Sequence, residues 1–271
     1  MPKSKLTREQ ILSSLKTKLE SLSYTNAMWE GGAAAFDRVD EWSDIDLQID
    51  VRDEYVAETF KAIEQTLIKL SPIELQYELP QPTWHGHAQA FYRLKDAGEF
   101  LLLDLCVIKG SNPNKFLQPE IHNQAVVHFD KCNVVRWQPL NSKALTEKIR
   151  ERLETLRVTF DLFQMLTKKE INRKNDIEAL SFYHGYTLRP LIEALRIKYV
   201  PTRYNFHTRY VHYELPKPVV KKLESLYFVR DRKDLAAKRK SAESWFNKIL
   251  KEINMKEVVQ AIENSVKLFN S

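Results

Sequence analysis

Cysteine and glycine are scarce in this chain, at two and six of 271 residues. The two thiols, Cys106 inside an apolar run and Cys132 beside a predicted turn, supply neither a disulfide framework nor a cysteine-based zinc site. That scarcity points to a reducing compartment. No uninterrupted apolar run approaches the roughly 18 residues of a membrane span, and the charged start Met1-Pro2-Lys3-Ser4-Lys5-Leu6 has no apolar core or cleavage signal behind it. A cytoplasmic protein with no membrane partner is expected. With so few glycines, the one adjacent pair, Gly31-Gly32, draws attention to its surroundings.

The pair opens the stretch Gly31-Gly32-Ala33-Ala34-Ala35-Phe36-Asp37-Arg38, and Ser43-Asp44-Ile45-Asp46-Leu47 follows shortly after. From Ser43 onward, apolar Ile45, Leu47, Ile49 and Val51 alternate with polar Asp44, Asp46, Gln48 and Asp50, the period of a strand buried on one face. Asp44 and Asp46 then point to the same side. Two carboxylates a few ångströms apart repel by about 4 kcal/mol at an effective dielectric near 20, so a cation or a proton between them is favoured. Magnesium suits the position, because it takes hard oxygen ligands and completes its shell with water and substrate phosphates. Glycines at 31 and 32 let main-chain N–H groups come close to phosphate oxygens. Asp50, farther along the strand, reads as a surface residue.

A third acid, Asp104, interrupts the apolar run Phe100-Leu101-Leu102-Leu103-Asp104-Leu105-Cys106-Val107-Ile108. A carboxylate in a buried strand requires a metal, a basic partner or an open strand end. The reading is that it joins Asp44 and Asp46 in a three-carboxylate metal cluster.

This set of residues resembles the nucleotidyltransferase superfamily, which includes the aminoglycoside and lincosamide nucleotidyltransferases and DNA polymerase beta. That signature is a Gly-Ser pair, a spacer, Asp-x-Asp, and a later third carboxylate. Here it maps onto Gly32-Ala33, Asp44-Ile45-Asp46 and Asp104, with Ala33 (or Gly32, if the alignment shifts by one) where the family has serine. The resemblance spans about residues 25 to 130. It implies Asp44, Asp46 and Asp104 as catalytic and magnesium-binding residues, and Gly31, Gly32, Ala33, Arg38 and Ser43 as nucleotide-binding residues. Implied too is transfer of a nucleoside monophosphate, AMP being the expected case, from a magnesium-bound NTP such as ATP to the hydroxyl of a small molecule. The missing serine leaves a non-catalytic nucleotide-binding relative as an alternative.

The pattern of elements changes near Asn141. Before it, a helix opens at Thr7-Arg8-Glu9-Gln10 with a capping-box pattern and runs to about Leu22. A second helix spans about Tyr55 to Leu70. Strands are expected at Asn26 to Trp29, Ile73 to Tyr77, Ala88 to Leu94, Phe100 to Ile108 and Ala125 to Phe129. Residues 1–140 thus form an α/β nucleotidyltransferase domain with a mixed sheet. Residues 141–271 are an all-α helical bundle read as the substrate-binding domain. There Leu145, Ile149, Leu153, Leu156, Phe160, Phe163 and Leu166 recur at spacings of three and four, the mark of one long amphipathic helix. Another helix, Asp176 to Tyr199, is expected to kink at Gly185 and Pro190.

Charge divides with the pattern: residues 1–140 carry 15 basic against 20 acidic side chains, and residues 141–271 carry 27 against 16. An excess of positive charge in the helical half argues against a polycationic aminoglycoside as acceptor. From Arg196 to Tyr213 cationic and aromatic residues interleave, suiting either a substrate wall or an RNA-binding surface. The alternative is that they anchor a long loop onto the bundle. Arg189 and Arg196, seven residues apart on one helix, together with Tyr199, are the candidate substrate-binding residues. His85 and His87 read as loop residues, since magnesium prefers oxygen to imidazole.

Overall fold

The computed structural model describes residues 6–270, so the charged start up to Lys5, and Ser271, lie outside them. The chain divides into two compact units, Met1–Pro139 and Leu140–Ser271.

In the first unit, α1 (Arg8–Glu20) starts at the expected capping box: the Gln10 amide donates to the Thr7 hydroxyl, and the Gln10 side chain accepts from the Thr7 amide. Two of the helix's orphan donors are thereby satisfied. There follow β1 (Thr25–Glu30), a single helical turn α2 (Gly32–Ala35), β2 (Ile45–Val51), α3 (Val56–Leu70), β3 (Ile73–Glu78), β4 (Ala88–Leu94), β5 (Leu103–Lys109), α4 (Pro119–His122) and β6 (Val126–Asp130). The six strands form one sheet in the order β3-β4-β5-β2-β1-β6. It is mixed, because β2 and β5 run parallel at its centre while every other pair is antiparallel.

The alternation read in β2 decides which face is which. Ile45, Leu47 and Ile49 are fully buried with Leu15 and Leu19 of α1 and Ile63 and Leu67 of α3 in one core. Burial of side chains of this kind contributes about 1.5 to 3 kcal/mol each. Asp46, Gln48 and Asp50 are therefore turned to the opposite face, where their register partners on β5 are Asp104, Cys106 and Ile108. Trp29, Cys106, Ile108 and Leu117 form a smaller core on that side.

Asp50 departs from its surface reading. It is 0 % exposed and ion-paired to Lys115 Nζ at 2.5 Å, with Asn26 Nδ2 donating at 2.8 Å. The loop after β5 carries Lys115 over this end of the strand, and sequence alternation alone does not register such a cover. The strand expected from Phe100 begins only at Leu103, since residues 98–101 close a turn in which the Leu101 amide donates to the Gly98 carbonyl.

The second unit is helical. The long amphipathic pattern becomes α5 (Ser142–Arg173), N-capped by the Asn141 side chain, with Leu145, Ile149, Leu153, Leu156 and Phe160 buried. α6 (Asp176–Phe182) and α7 (Arg189–Tyr199) follow, then α8 (Val211–Glu214), α9 (Lys217–Tyr227), α10 (Arg232–Glu252) and α11 (Met255–Asn270). The expected kink is a π-helical segment, Tyr183–Leu188, joining α6 to α7 without a break in the chain direction's helical winding. Pro190, lacking an N–H, stands in the first turn of α7 just beyond it, and widening the preceding turn is one way to accommodate the lost bond. Phe160 stacks on Phe246 at 3.6 Å between ring centres inside the bundle. Among the described residues no helix is long and apolar enough to cross a membrane.

Candidate active site

The glycine turn is built against the first acidic strand. As the chain leaves β1, Gly31 donates its N–H to the Asp46 carbonyl at 2.9 Å. Gly32 then adopts a left-handed backbone, φ +52°, where a Cβ would lie 1.7 Å from Asp46 Oδ2 and 2.4 Å from its Cγ. No side chain fits in that space, so the glycine is dictated by how closely the turn approaches the carboxylate. The Gly31 amide, expected to meet phosphate, is instead occupied by the sheet. Ala33, at the serine position, lies in α2 and accepts the Arg38 amide on its carbonyl at 2.9 Å. The Arg38 guanidinium lies over the Phe36 ring, 4.9 Å from its centre.

Asp46 and Asp104 are register partners on the adjacent parallel strands β2 and β5 and share a face of the sheet. Asp104 Oδ1 accepts from the Gln89 side-chain amide at 2.5 Å. Asp44 lies just ahead of β2 and is exposed. Its main-chain carbonyl accepts from the Arg8 guanidinium at 2.5 Å, and Arg8 is also ion-paired to buried Glu30. Partial burial raises the Asp44 carboxyl above its ordinary range, opposed by a backbone hydrogen bond at Leu102 and by nearby Arg8.

The expected convergence of all three carboxylates is not met: among the described residues, no three acidic, imidazole or thiol side chains stand together so as to hold a metal ion. Asp44 sits beyond the regular strand, and Asp104 is drawn toward Gln89 on the neighbouring strand. Hard carboxylate oxygens on one face still suit magnesium, whose shell commonly holds only one or two carboxylates beside water and substrate phosphate. Ser43 has a local bonding role. Its hydroxyl donates to the Asp40 carboxylate at 2.7 Å and accepts the Asp40 amide at 2.9 Å, closing the turn that leads into β2.

The candidate residues of the helical unit separate sharply. Arg196 is fully buried: its guanidinium donates to the His207 carbonyl at 2.7 Å, to Glu214 at 2.7 Å and to the Arg209 carbonyl. Arg203 Nε also lies 2.8 Å from Glu214. These arginines bind the segment after α7 to the bundle, so Arg196 does not share an open face with Arg189, and the cationic reading of the segment for RNA loses its central residue.

Arg189 is exposed and donates to His207 Nε2 at 3.0 Å. It lines a cavity of about 510 Å³ together with Arg152, Phe163, Tyr186, Glu193 and Tyr204. Within it, buried Glu193 accepts two hydrogen bonds from Arg152, at 2.5 and 2.8 Å. Burial, and then the Arg189 charge, lower the His207 pKa below its ordinary value. Tyr199 lies outside this lining, with Lys198 Nζ 5.4 Å from its ring centre.

Sequence reasoning missed Arg8, which fixes the main chain at Asp44, and Gln89 beside Asp104, and it read His85, which bonds Gln89, as a loop residue. A polar Gln89 within the strand pattern Ala88 to Leu94 was an available signal.

No family model matches the chain, and no curated protein matches it. Among solved structures it is similar to an aminoglycoside 6-adenyltransferase from Bacillus subtilis, at 12% identity and a TM-score of 0.34, over 97% of this chain and 92% of that one. It is also similar to a spectinomycin adenyltransferase from Enterococcus faecialis solved with ATP and spectinomycin, at 10% identity and a TM-score of 0.37, over 96% of this chain and 100% of that one.

Proposed function

We propose that the chain is a nucleotidyltransferase that moves a nucleoside monophosphate from an NTP, ATP in the first instance, to the hydroxyl of a small molecule. The observation that carries this reading is the pairing of Asp46 with Asp104 on one face of parallel strands, with a glycine turn packed against Asp46 so closely that no Cβ is accommodated. Asp44 and Asp46 are assigned to hold magnesium, which when bound would neutralise triphosphate charge and stabilise the leaving pyrophosphate. The main-chain amides of Gly32 and Ala33 and the guanidinium of Arg38 are assigned to the phosphates. Asp104 is assigned to take the acceptor's proton as its oxygen bonds to the α-phosphorus and the bond to the β-phosphate oxygen breaks. The Arg189 cavity supports a small acceptor in the helical unit, and the two arginines there argue against a polycation.

The test is Asp46→Asn assayed for magnesium-dependent pyrophosphate release over a panel of hydroxyl acceptors. Turnover is expected to fall by orders of magnitude with the fold intact by circular dichroism. Full retained turnover removes Asp46 from the mechanism. Binding of ATP by the wild-type chain without pyrophosphate release across the panel favours a non-catalytic nucleotide-binding protein.

A further inference from the structure

Asp104 stands at one end of a hydrogen-bonded chain whose polarity is set at the other end by a main-chain amide. The His87 N–H donates to His85 Nδ1 at 3.2 Å. A main-chain N–H can only donate, so Nδ1 carries no proton and the neutral ring holds its hydrogen on Nε2. The Thr83 hydroxyl, 3.3 Å from Nδ1, does not change this, because its hydrogen goes to the His87 carbonyl at 2.6 Å. His85 Nε2 lies 3.0 Å from the Gln89 side-chain oxygen. With that oxygen engaged, the Gln89 amide nitrogen faces Asp104 Oδ1 at 2.5 Å and donates to it.

Each link removes a choice. The His85 tautomer decides which way the Gln89 amide is turned, and the turned amide decides that Asp104 meets a donor. Reversing the amide would set the Gln89 oxygen against an Asp104 oxygen, acceptor to acceptor, so the observed turn of the amide fixes which atom meets Asp104. The strand register supports the reach: Asp104 is opposite Phe91, and Gln89 is the diagonal neighbour two residues along the same face of β4. His87, which supplies the first donor, is 1 % exposed.

The geometry points to His85 and Gln89 as positioning residues that hold the Asp104 side chain in one orientation. This rests on the reading of Asp104 as a carboxylate of the reaction centre. The two residues touch neither nucleotide nor acceptor in this assignment. They act through Asp104, and hydrogen-bonded supports of this kind typically change metal affinity or activity by about 10- to 100-fold when removed.

The test uses the full chain labelled with ¹⁵N-histidine, and the variants Gln89→Leu, His85→Ala, Asp104→Asn and the Gln89→Leu/Asp104→Asn pair. Near neutral pH the His85 resonances are expected to show a protonated Nε2 and an unprotonated Nδ1. A protonated Nδ1 overturns the proposal. Magnesium-dependent pyrophosphate release over the acceptor panel is expected to fall about tenfold or more in Gln89→Leu and by a smaller factor in His85→Ala, while manganese affinity in the presence of ATP stays near the wild-type value. In the Asp104→Asn background the Gln89 change is expected to have no further effect, because the two act as one unit. Equal losses in both backgrounds would mean that Gln89 contributes only to the fold, and the proposal fails. If the wild-type chain binds no manganese with ATP, the nucleotidyl-transfer reading fails by itself, while the imidazole resonances still decide the His85 assignment.

Discussion

Gly32 and Asp46 stand in a relationship that only a missing side chain permits: a Cβ at residue 32 would lie 1.7 Å from an Asp46 carboxylate oxygen. The same turn is tied to the same residue by the Gly31 amide on the Asp46 carbonyl. Turn and carboxylate therefore move together. Gly32→Ala would strain a positive-φ backbone and displace the carboxylate, so a loss of at least about 1 to 2 kcal/mol and a marked fall in metal-dependent ATP binding are expected. Gly31→Ala is the control. The nearest atoms to its Cβ would be those of the Gln48 side chain, from 3.2 Å, and a small shift there relieves the contact. Melting curves and ATP titrations on both variants check the pair, and equal behaviour of the two would contradict the description.

Arg196 and Arg189, both on α7, are expected to part in experiment. Arg196→Met takes the buried guanidinium away from Glu214, which keeps Arg203, and from several carbonyls, and breaking a buried pair of this kind typically costs about 3 to 5 kcal/mol. Arg189→Ala removes an exposed side chain that donates to His207 at the cavity wall, and should leave the melting temperature nearly unchanged. Its effect belongs in acceptor KM. Thermal denaturation of the two variants side by side decides the matter.

Lys115→Met tests the burial of Asp50. The ion pair is almost wholly withdrawn from solvent, at 8 % and 1 % side-chain exposure, so removing the ammonium strands a charge that Asn26 alone does not neutralise. A loss of about 3 kcal/mol or more is expected, with part of it recovered in the Lys115→Met/Asp50→Asn double variant. A urea-denaturation series that shows no recovery would place the cost in packing of the lysine stem instead.

His87 supplies a pH-dependent term. Burial, followed by the His85 and Lys115 charges, lowers its pKa from an ordinary 6.5 to about 4. The unfolded chain binds a proton in that interval and the folded chain does not, so this contribution is complete above about pH 6.5 and is lost progressively as pH falls toward 4. The loss amounts to roughly 3 kcal/mol, with no further change from this residue below that point. His87→Gln should flatten stability over the same interval. A wild-type stability that holds level from pH 6.5 to 4, after allowance for carboxylates, would show that His87 is protonated in the folded chain.

Much of the fold was legible because its causes are local. Thr7 and Gln10 announce the start of α1, the alternation from Ile45 to Val51 announces β2, and the apolar stripe from Leu145 to Phe160 announces α5. Each rests on the period of an element or on a cap within a few residues of itself. The misreadings share the opposite cause. The cover of Asp50, Lys115, comes from 65 residues away, and the partners of Arg196 arrive on a returning loop, so neither burial has a local sign.

By itself, then, the sequence determined the elements, the mixed α/β character of the first part, the helical character of the second, and the residue types able to hold a metal and a triphosphate. It did so because helix and strand periods and hard-oxygen chemistry are properties of neighbouring residues. Only the tertiary structure decided that Asp46 faces Asp104, that Gln89 and His85 stand behind Asp104, and that Asp44 lies ahead of the strand. Those relations depend on strand order and register, which bring together residues tens of positions apart and which no local pattern encodes.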